Sequence, residues 1–121
     1  LRSLEDKDFV FLHVEAPDEA GHNGNLREKI LAIERFDQLV VGTILKAFKR
    51  KKNFRILVLP DHATPISVKT HTSDIVPFGI FGKGIVGRGF LNYSERQAEK
   101  SDLYFEKGYE LLDFFIKTTE E

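Results

Sequence analysis

Apolar residues fall on both alternations of residues 8–14 (D-F-V-F-L-H-V), where Phe9, Val10, Phe11, Leu12 and Val14 leave no polar face. This pattern predicts a strand covered on both sides, as in the parallel sheets of α/β proteins. Glu15-Ala16-Pro17 ends it, and residues 18–24, with Gly21, His22, Asn23 and Gly24, read as a loop. From 25 to about 51 the apolar period becomes helical, through Leu26, Ile30, Ile33, Val40, Ile44 and Ala47, with Leu31, Leu39, Val41, Leu45 and Phe48 widening the stripe. The expectation is one long helix, or two with a break near Gly42. Asn25 is suited to cap it, with Glu28 three residues on. The basic run at its far end (Lys46, Lys49, Arg50, Lys51, Lys52) complements the helix dipole and reads as a solvated helix end.

Residues 54–59 (F-R-I-L-V-L) form a second predicted strand, and residues 76–81 (V-P-F-G-I-F) a third, with Pro77 at its start or edge because it cannot donate to a ladder. Strand, helix, strand predicts a parallel βαβ unit with a right-handed crossover, so the C-terminal ends of the first two strands share one sheet edge. Open α/β sheets bind ligands at that edge. A polar loop spans 63–74. The glycines at 82, 84, 87 and 89 read as a flexible connection, since no G-x-x-x-x-G-K-[ST] run opens a helix there. Residues 106–117 predict a last helix packed on the sheet, with Phe114 and Phe115 in its core. The fold class is α/β, a mostly parallel sheet with flanking helices.

Composition narrows the function classes. The chain has 121 residues, one domain's worth with room for an ordinary core. A net charge of -1 offers no electrostatic footprint for nucleic acid. No apolar run approaches the roughly 20 residues that span a bilayer, and charged residues 1–8 do not form a signal peptide. The absence of Cys excludes disulfides and thiol chemistry and makes a cytoplasmic setting the default. The absence of Met leads us to expect a piece of a longer reading frame.

Against this background the loop chemistry stands out. Asp18 and His22 follow the first predicted strand, Asp61 and His62 follow the second, and His71 lies in the 63–74 loop. Taken singly, such pairs are usually turns or surface residues. Gathered at strand ends, carboxylate and imidazole suit Mn²⁺, Zn²⁺, Fe²⁺ or Co²⁺ in a catalytic role. An open site takes about three protein ligands, so this set exceeds one metal and falls short of two. Glu15 and Glu19 are candidates to orient a ligand, or are solvent-facing acids. Arg27 and Lys69 are candidates to meet substrate phosphate or carboxylate, or are surface cations. His13 reads as a packed strand residue.

The motifs H-V-E-A-P-D-E-A-G-H-N-G, L-P-D-H-A-T-P and K-T-H-T-S-D-I-V-P-F, within residues 8–81, resemble the C-terminal metal-binding segments of archaeal-type cofactor-independent phosphoglycerate mutases, in the alkaline phosphatase superfamily. The resemblance implies an alkaline-phosphatase-like partial domain spanning 1–121. It also implies two divalent metal ions (Mn, Zn, Co or Mg) and no organic cofactor. Asp18, His22 and His71 would hold one ion, and Asp61 and His62 the other. For the intact enzyme it implies the glycolytic and gluconeogenic interconversion of 3- and 2-phosphoglycerate through a phosphoserine. The family's nucleophilic Ser and a further Asp lie near the N-terminus of the whole enzyme, and Ser67, Ser73 and Ser94 do not match that context. Ile75 stands where the family often has Pro. The alternatives are another phosphohydrolase of the superfamily or, for the isolated chain, a non-catalytic metal-binding module able to form a homo-oligomer through open sheet edges.

Overall fold

Asn25 Oδ1 accepts the Glu28 N–H at 3.1 Å, and this cap starts the longest helical run of the molecule. The run opens as α3 (Leu26–Arg35), continues as a π-helical segment (Phe36–Val41) and ends as α4 (Gly42–Phe48). The Gly42 N–H donates to the Asp37 carbonyl, five residues back, so the expected break is instead a change of helical pitch. Before it lie α1 (Ser3–Asp6) and α2 (Ala16–His22). After it come β1 (Arg55–Val58), β2 (Gly79–Gly82), α5 (Glu95–Ala98) and α6 (Gly108–Lys117). This computed structural model describes residues 1–90 and 92–117.

Two compact units divide the chain, Leu1–Arg50 with Ala63–Ser73, and Lys51–His62 with Asp74–Glu121. In the first unit α2 and α3 pack together across the turn at Asn23 and Gly24, where the Gly24 N–H reaches the Gly21 carbonyl at 3.0 Å. Residues 63–73 fold back on themselves, the Thr72 N–H donating to the Ala63 carbonyl at 3.0 Å.

In the second unit β1 and β2 pair antiparallel, with Arg55 opposite Gly82 and Val58 opposite Gly79. The guanidinium of Arg55 donates to the Phe115 carbonyl at 2.6 Å and so ties the last turn of α6 to the sheet. Phe105 links Phe78 and Phe114 at centroid distances of 5.7 and 5.3 Å, and Leu111 is buried in α6. The Tyr93 hydroxyl donates to the Pro77 carbonyl at 2.8 Å. Burial, and after it the Glu95 charge, push this phenol up to about 12, although half of the side chain remains open to solvent. One of the three tyrosines should therefore ionise late in an alkaline titration followed by tyrosinate absorbance. Tyr93→Phe should delete that late step, and a late step that survives the substitution contradicts the assignment.

Several expectations need correction. Residues 8–14 form no strand: Phe11 is 77% exposed, and a ladder needs a partner that the described residues of the first unit do not supply. The parallel βαβ unit accordingly does not form, and the strand pair of the described residues is antiparallel. Residues 18–22 are helical rather than looped, because Pro17 sits where its fixed φ and missing N–H start a helix instead of stopping a strand. The core is small: Ala20 and Leu111 are the buried hydrophobic residues among those described, while Leu26, Ile30 and Ile33 of α3 stay about half exposed. Helical period marks an apolar face without saying what covers it. The α/β class stands, as a mixed partial domain with helices and a two-stranded sheet.

Candidate metal centre

Asp18 and His22 lie four residues apart on α2, so one face of the helix presents both. The folded-back 63–73 segment brings His71 to the same face. His22 Nε2 stands 3.3 Å from Asp18 Oδ2, His71 Nε2 stands 3.4 Å from Asp18 Oδ1, and the two imidazole Nε2 atoms are 3.1 Å apart. Two ligands that each hold one tetrahedral ion at about 2.0–2.1 Å stand roughly 3.3 Å from one another. The donor set therefore suits a divalent ion in its chemistry, with His22 and His71 each near that distance from a different oxygen of the Asp18 carboxylate. All three side chains keep a third to a half of their surface exposed, which leaves room for a further ligand.

The tautomer of His22 follows from its other nitrogen. His22 Nδ1 is 3.1 Å from the Lys69 carbonyl, which can only accept, so Nδ1 carries the proton and Nε2 presents a lone pair to the cluster. A backbone carbonyl behind a histidine is the usual device for aiming an imidazole at a metal. Lys69 adopts a left-handed φ of 61° and closes its turn with an N–H donated to the Pro65 carbonyl at 2.8 Å. For a residue with a Cβ that conformation costs on the order of 1 kcal/mol. The strain sits where the carbonyl meets His22.

Asp61 and His62 belong to the second unit and follow β1 after Leu59 and Pro60. The His62 N–H donates to Asp61 Oδ1 at 3.1 Å, and His62 Nε2 lies 3.5 Å from Asp61 Oδ2. Of the remaining candidates, Glu15 acts through its backbone, its carbonyl accepting the Asp18 and Glu19 amides at the start of α2. Arg27 is exposed on α3, and Lys69 contributes its carbonyl while its side chain runs over Gly24. His13 stacks beside Phe11 at 6.4 Å between centroids and is exposed rather than packed.

Sequence reasoning missed Thr64. It is the one buried polar residue among those described, and its hydroxyl donates to Asp18 Oδ1 at 2.5 Å. The L-P-D-H-A-T-P motif held the signal, since it places a hydroxyl two residues after His62.

Residues 1–106 match the metalloenzyme superfamily, and the chain belongs to that family. Among curated proteins it is 46% identical to a Geobacter sulfurreducens protein named as a probable 2,3-bisphosphoglycerate-independent phosphoglycerate mutase, with 96% of this chain and 29% of that protein covered. It is 44% identical to the Methanosarcina acetivorans 2,3-bisphosphoglycerate-independent phosphoglycerate mutase, with 97% of this chain and 30% of that protein covered. A solved structure from Pyrococcus horikoshii superposes with a TM-score of 0.78 at 37% identity, covering 82% of this chain and 29% of its own. The chain thus spans about 30% of the length of the curated relatives it matches. No helix of the described residues is long and apolar enough to cross a membrane.

Proposed function

We propose that this chain is the C-terminal, metal-gripping portion of a cytoplasmic phosphoglycerate mutase that interconverts 3- and 2-phosphoglycerate, with the nucleophilic serine supplied from outside residues 1–121. The observation that carries the reading is the convergence of Asp18, His22 and His71 at 3.1–3.4 Å on a helix face and a folded-back loop. Relatives that bear the mutase name over nearly the whole of this chain favour that reaction over the other chemistries of the superfamily.

In this reading Asp18, His22 and His71 hold one divalent ion, Mn, Zn, Co or Mg, and Asp61 with His62 contributes to a second. Bound there, such ions supply Lewis acidity toward a phosphoryl group and favour ionisation of a hydroxyl nucleophile. The chain's own residues do the holding and aiming. Asp18 brings the negative charge, the Lys69 carbonyl fixes the His22 tautomer, and the turn through Pro65 and Lys69 carries His71 to the cluster. Ser94 is already engaged in capping α5, where its side chain accepts the Gln97 N–H, consistent with a nucleophile elsewhere.

The test joins this chain to the remaining length found in its relatives and assays 3-phosphoglycerate conversion against hydrolysis of an aryl phosphate. Mutase turnover that disappears with His71→Ala is the expected result. Hydrolysis without interconversion would instead assign a phosphohydrolase of the same superfamily. The isolated chain should bind about one ion tightly and turn over neither substrate, because three ligands complete one open site and two leave another short.

A further inference from the structure

Asp18 is held from behind by a relay that links α2 to α3. Thr64 donates its hydroxyl to Asp18 Oδ1 at 2.5 Å, within the range of a charge-assisted bond to a carboxylate. The Thr64 carbonyl in turn accepts from Lys29 Nζ of α3 at 2.5 Å. Close approach of the Thr64 backbone to α2 depends on Gly21, where a Cβ would overlap the Thr64 carbonyl oxygen and stand 3.0 Å from both Lys29 Nζ and Thr64 Cγ2. Gly21 is buried, as Thr64 is, and its φ is not of the left-handed kind. The glycine is thus required for space rather than for backbone conformation.

From this arrangement we infer that Thr64 is a positioning residue for the metal ligand Asp18, and that Lys29 positions Thr64; the inference rests on the reading of Asp18, His22 and His71 as a metal site. A carboxylate on a helix can swing among several rotamers, and only some of them face His22 and His71. The Thr64 hydroxyl occupies one lone-pair direction of Oδ1 and selects such a rotamer, in which Oδ2 stands 3.3 Å from His22 Nε2 and Oδ1 stands 3.4 Å from His71 Nε2. Burial makes the selection effective, since a threonine that is 4% exposed cannot turn its hydroxyl to bulk water. Lys29 fixes the height of the Thr64 backbone above α2 and places a positive charge beside the Thr64 carbonyl. The Thr64 hydroxyl reaches the cluster at Asp18, and Lys29 reaches it by way of Thr64.

Mn²⁺ titration of this chain, read by electron paramagnetic resonance, separates the possibilities, with far-UV circular dichroism reporting the fold. Thr64→Val keeps the shape and removes the hydroxyl, and should weaken Mn²⁺ binding roughly 10–100-fold, the range for partners that orient metal ligands. Thr64→Ser keeps the hydroxyl and should return affinity to within about threefold of the wild-type chain, a recovery that a purely packing role would not produce. Lys29→Met leaves the Thr64 side chain intact and should give an intermediate loss, so the inference stays testable even if Thr64→Val fails to fold. Wild-type affinity in Thr64→Val, or equal weakening in the Val and Ser variants, overturns it. Asp18→Ala is the control: if the wild-type chain and this variant bind alike, the metal site itself is wrong. If only Asp18→Ala loses the ion, the site stands and the positioning role falls.

Discussion

His22→Ala should abolish tight binding of a divalent ion by this chain, lowering affinity at least about 100-fold, because in the proposed site it removes one of three ligands rather than a group behind them. The geometry makes the expectation sharp. His22 Nε2 lies 3.1 Å from His71 Nε2 and 3.3 Å from Asp18 Oδ2, so its loss opens the centre of the cluster and not its rim. Its Nδ1 proton is committed to the Lys69 carbonyl, so the ring is aimed before any ion arrives and truncation to Ala also discards that preorganisation. Titration calorimetry with Mn²⁺ or Zn²⁺ measures the change directly. A thermal-shift experiment measures it indirectly, since an ion at about 100 times its Kd stabilises the folded state by ~2.7 kcal/mol and the variant should lose that increment. His71→Ala should behave alike. Retention of wild-type affinity by both variants would sink the assignment of this cluster as a metal site.

How much of this was legible beforehand depends on what each signal measures. The Asn25 cap was readable because a cap is a local device, one side chain answering one orphan amide, and it forms as expected. The apolar run before Pro60 was readable as β1 for the same reason, its length and β-branched content being local properties. Residues 8–14 have equally strong strand character, yet strand formation is a property of a pair. The run says that both faces want cover and is silent on whether a partner exists. Pro17 was ambiguous in the same way, since it ends a ladder and also begins a helix. The candidate ligands were legible as residue types, Asp18, His22, Asp61, His62 and His71 being singled out by their loop positions, while the grouping of Asp18, His22 and His71 was what the family resemblance implied. Their approach was not legible, because it depends on the 63–73 segment folding back through the Thr72–Ala63 bond and on a left-handed Lys69. A non-glycine residue in that conformation leaves no trace in the sequence. Thr64 escaped notice because threonines are mostly exposed, and its burial follows from a gap at Gly21 that no periodicity encodes.

In the second unit, Gly82→Ala should destabilise the sheet by about 3 kcal/mol or more, through backbone strain and overlap acting at one position. Gly82 has a φ of 131°, a conformation that residues with a Cβ rarely adopt. An added Cβ would overlap the Phe54 carbonyl oxygen and stand 2.8 Å from Arg55 Cα, and both are backbone atoms that cannot swing aside. Relief would require β1 and β2 to separate at the Arg55–Gly82 pair, which also carries the Lys83 N–H to Phe54 carbonyl bond at 2.9 Å. The damage should spread to α6. Arg55 donates through Nε to the Lys83 carbonyl at 2.7 Å and through Nη1 to the Phe115 carbonyl, so displacing its backbone releases the end of that helix. Gly87→Ala is the matched control in the same glycine-rich segment, with a φ outside the left-handed range and no atom within 4 Å of a new Cβ, and it should be close to neutral. Urea denaturation followed by far-UV circular dichroism compares the two. Amide hydrogen exchange at residues 55–58 and 111–117 shows whether sheet and helix loosen together, as the Arg55 bridge requires. Equal midpoints for the two alanine variants would mean that the Gly82 backbone relaxes into an ordinary conformation. The close pairing of β1 with β2, and the anchoring of α6 built on it, would then have to be abandoned.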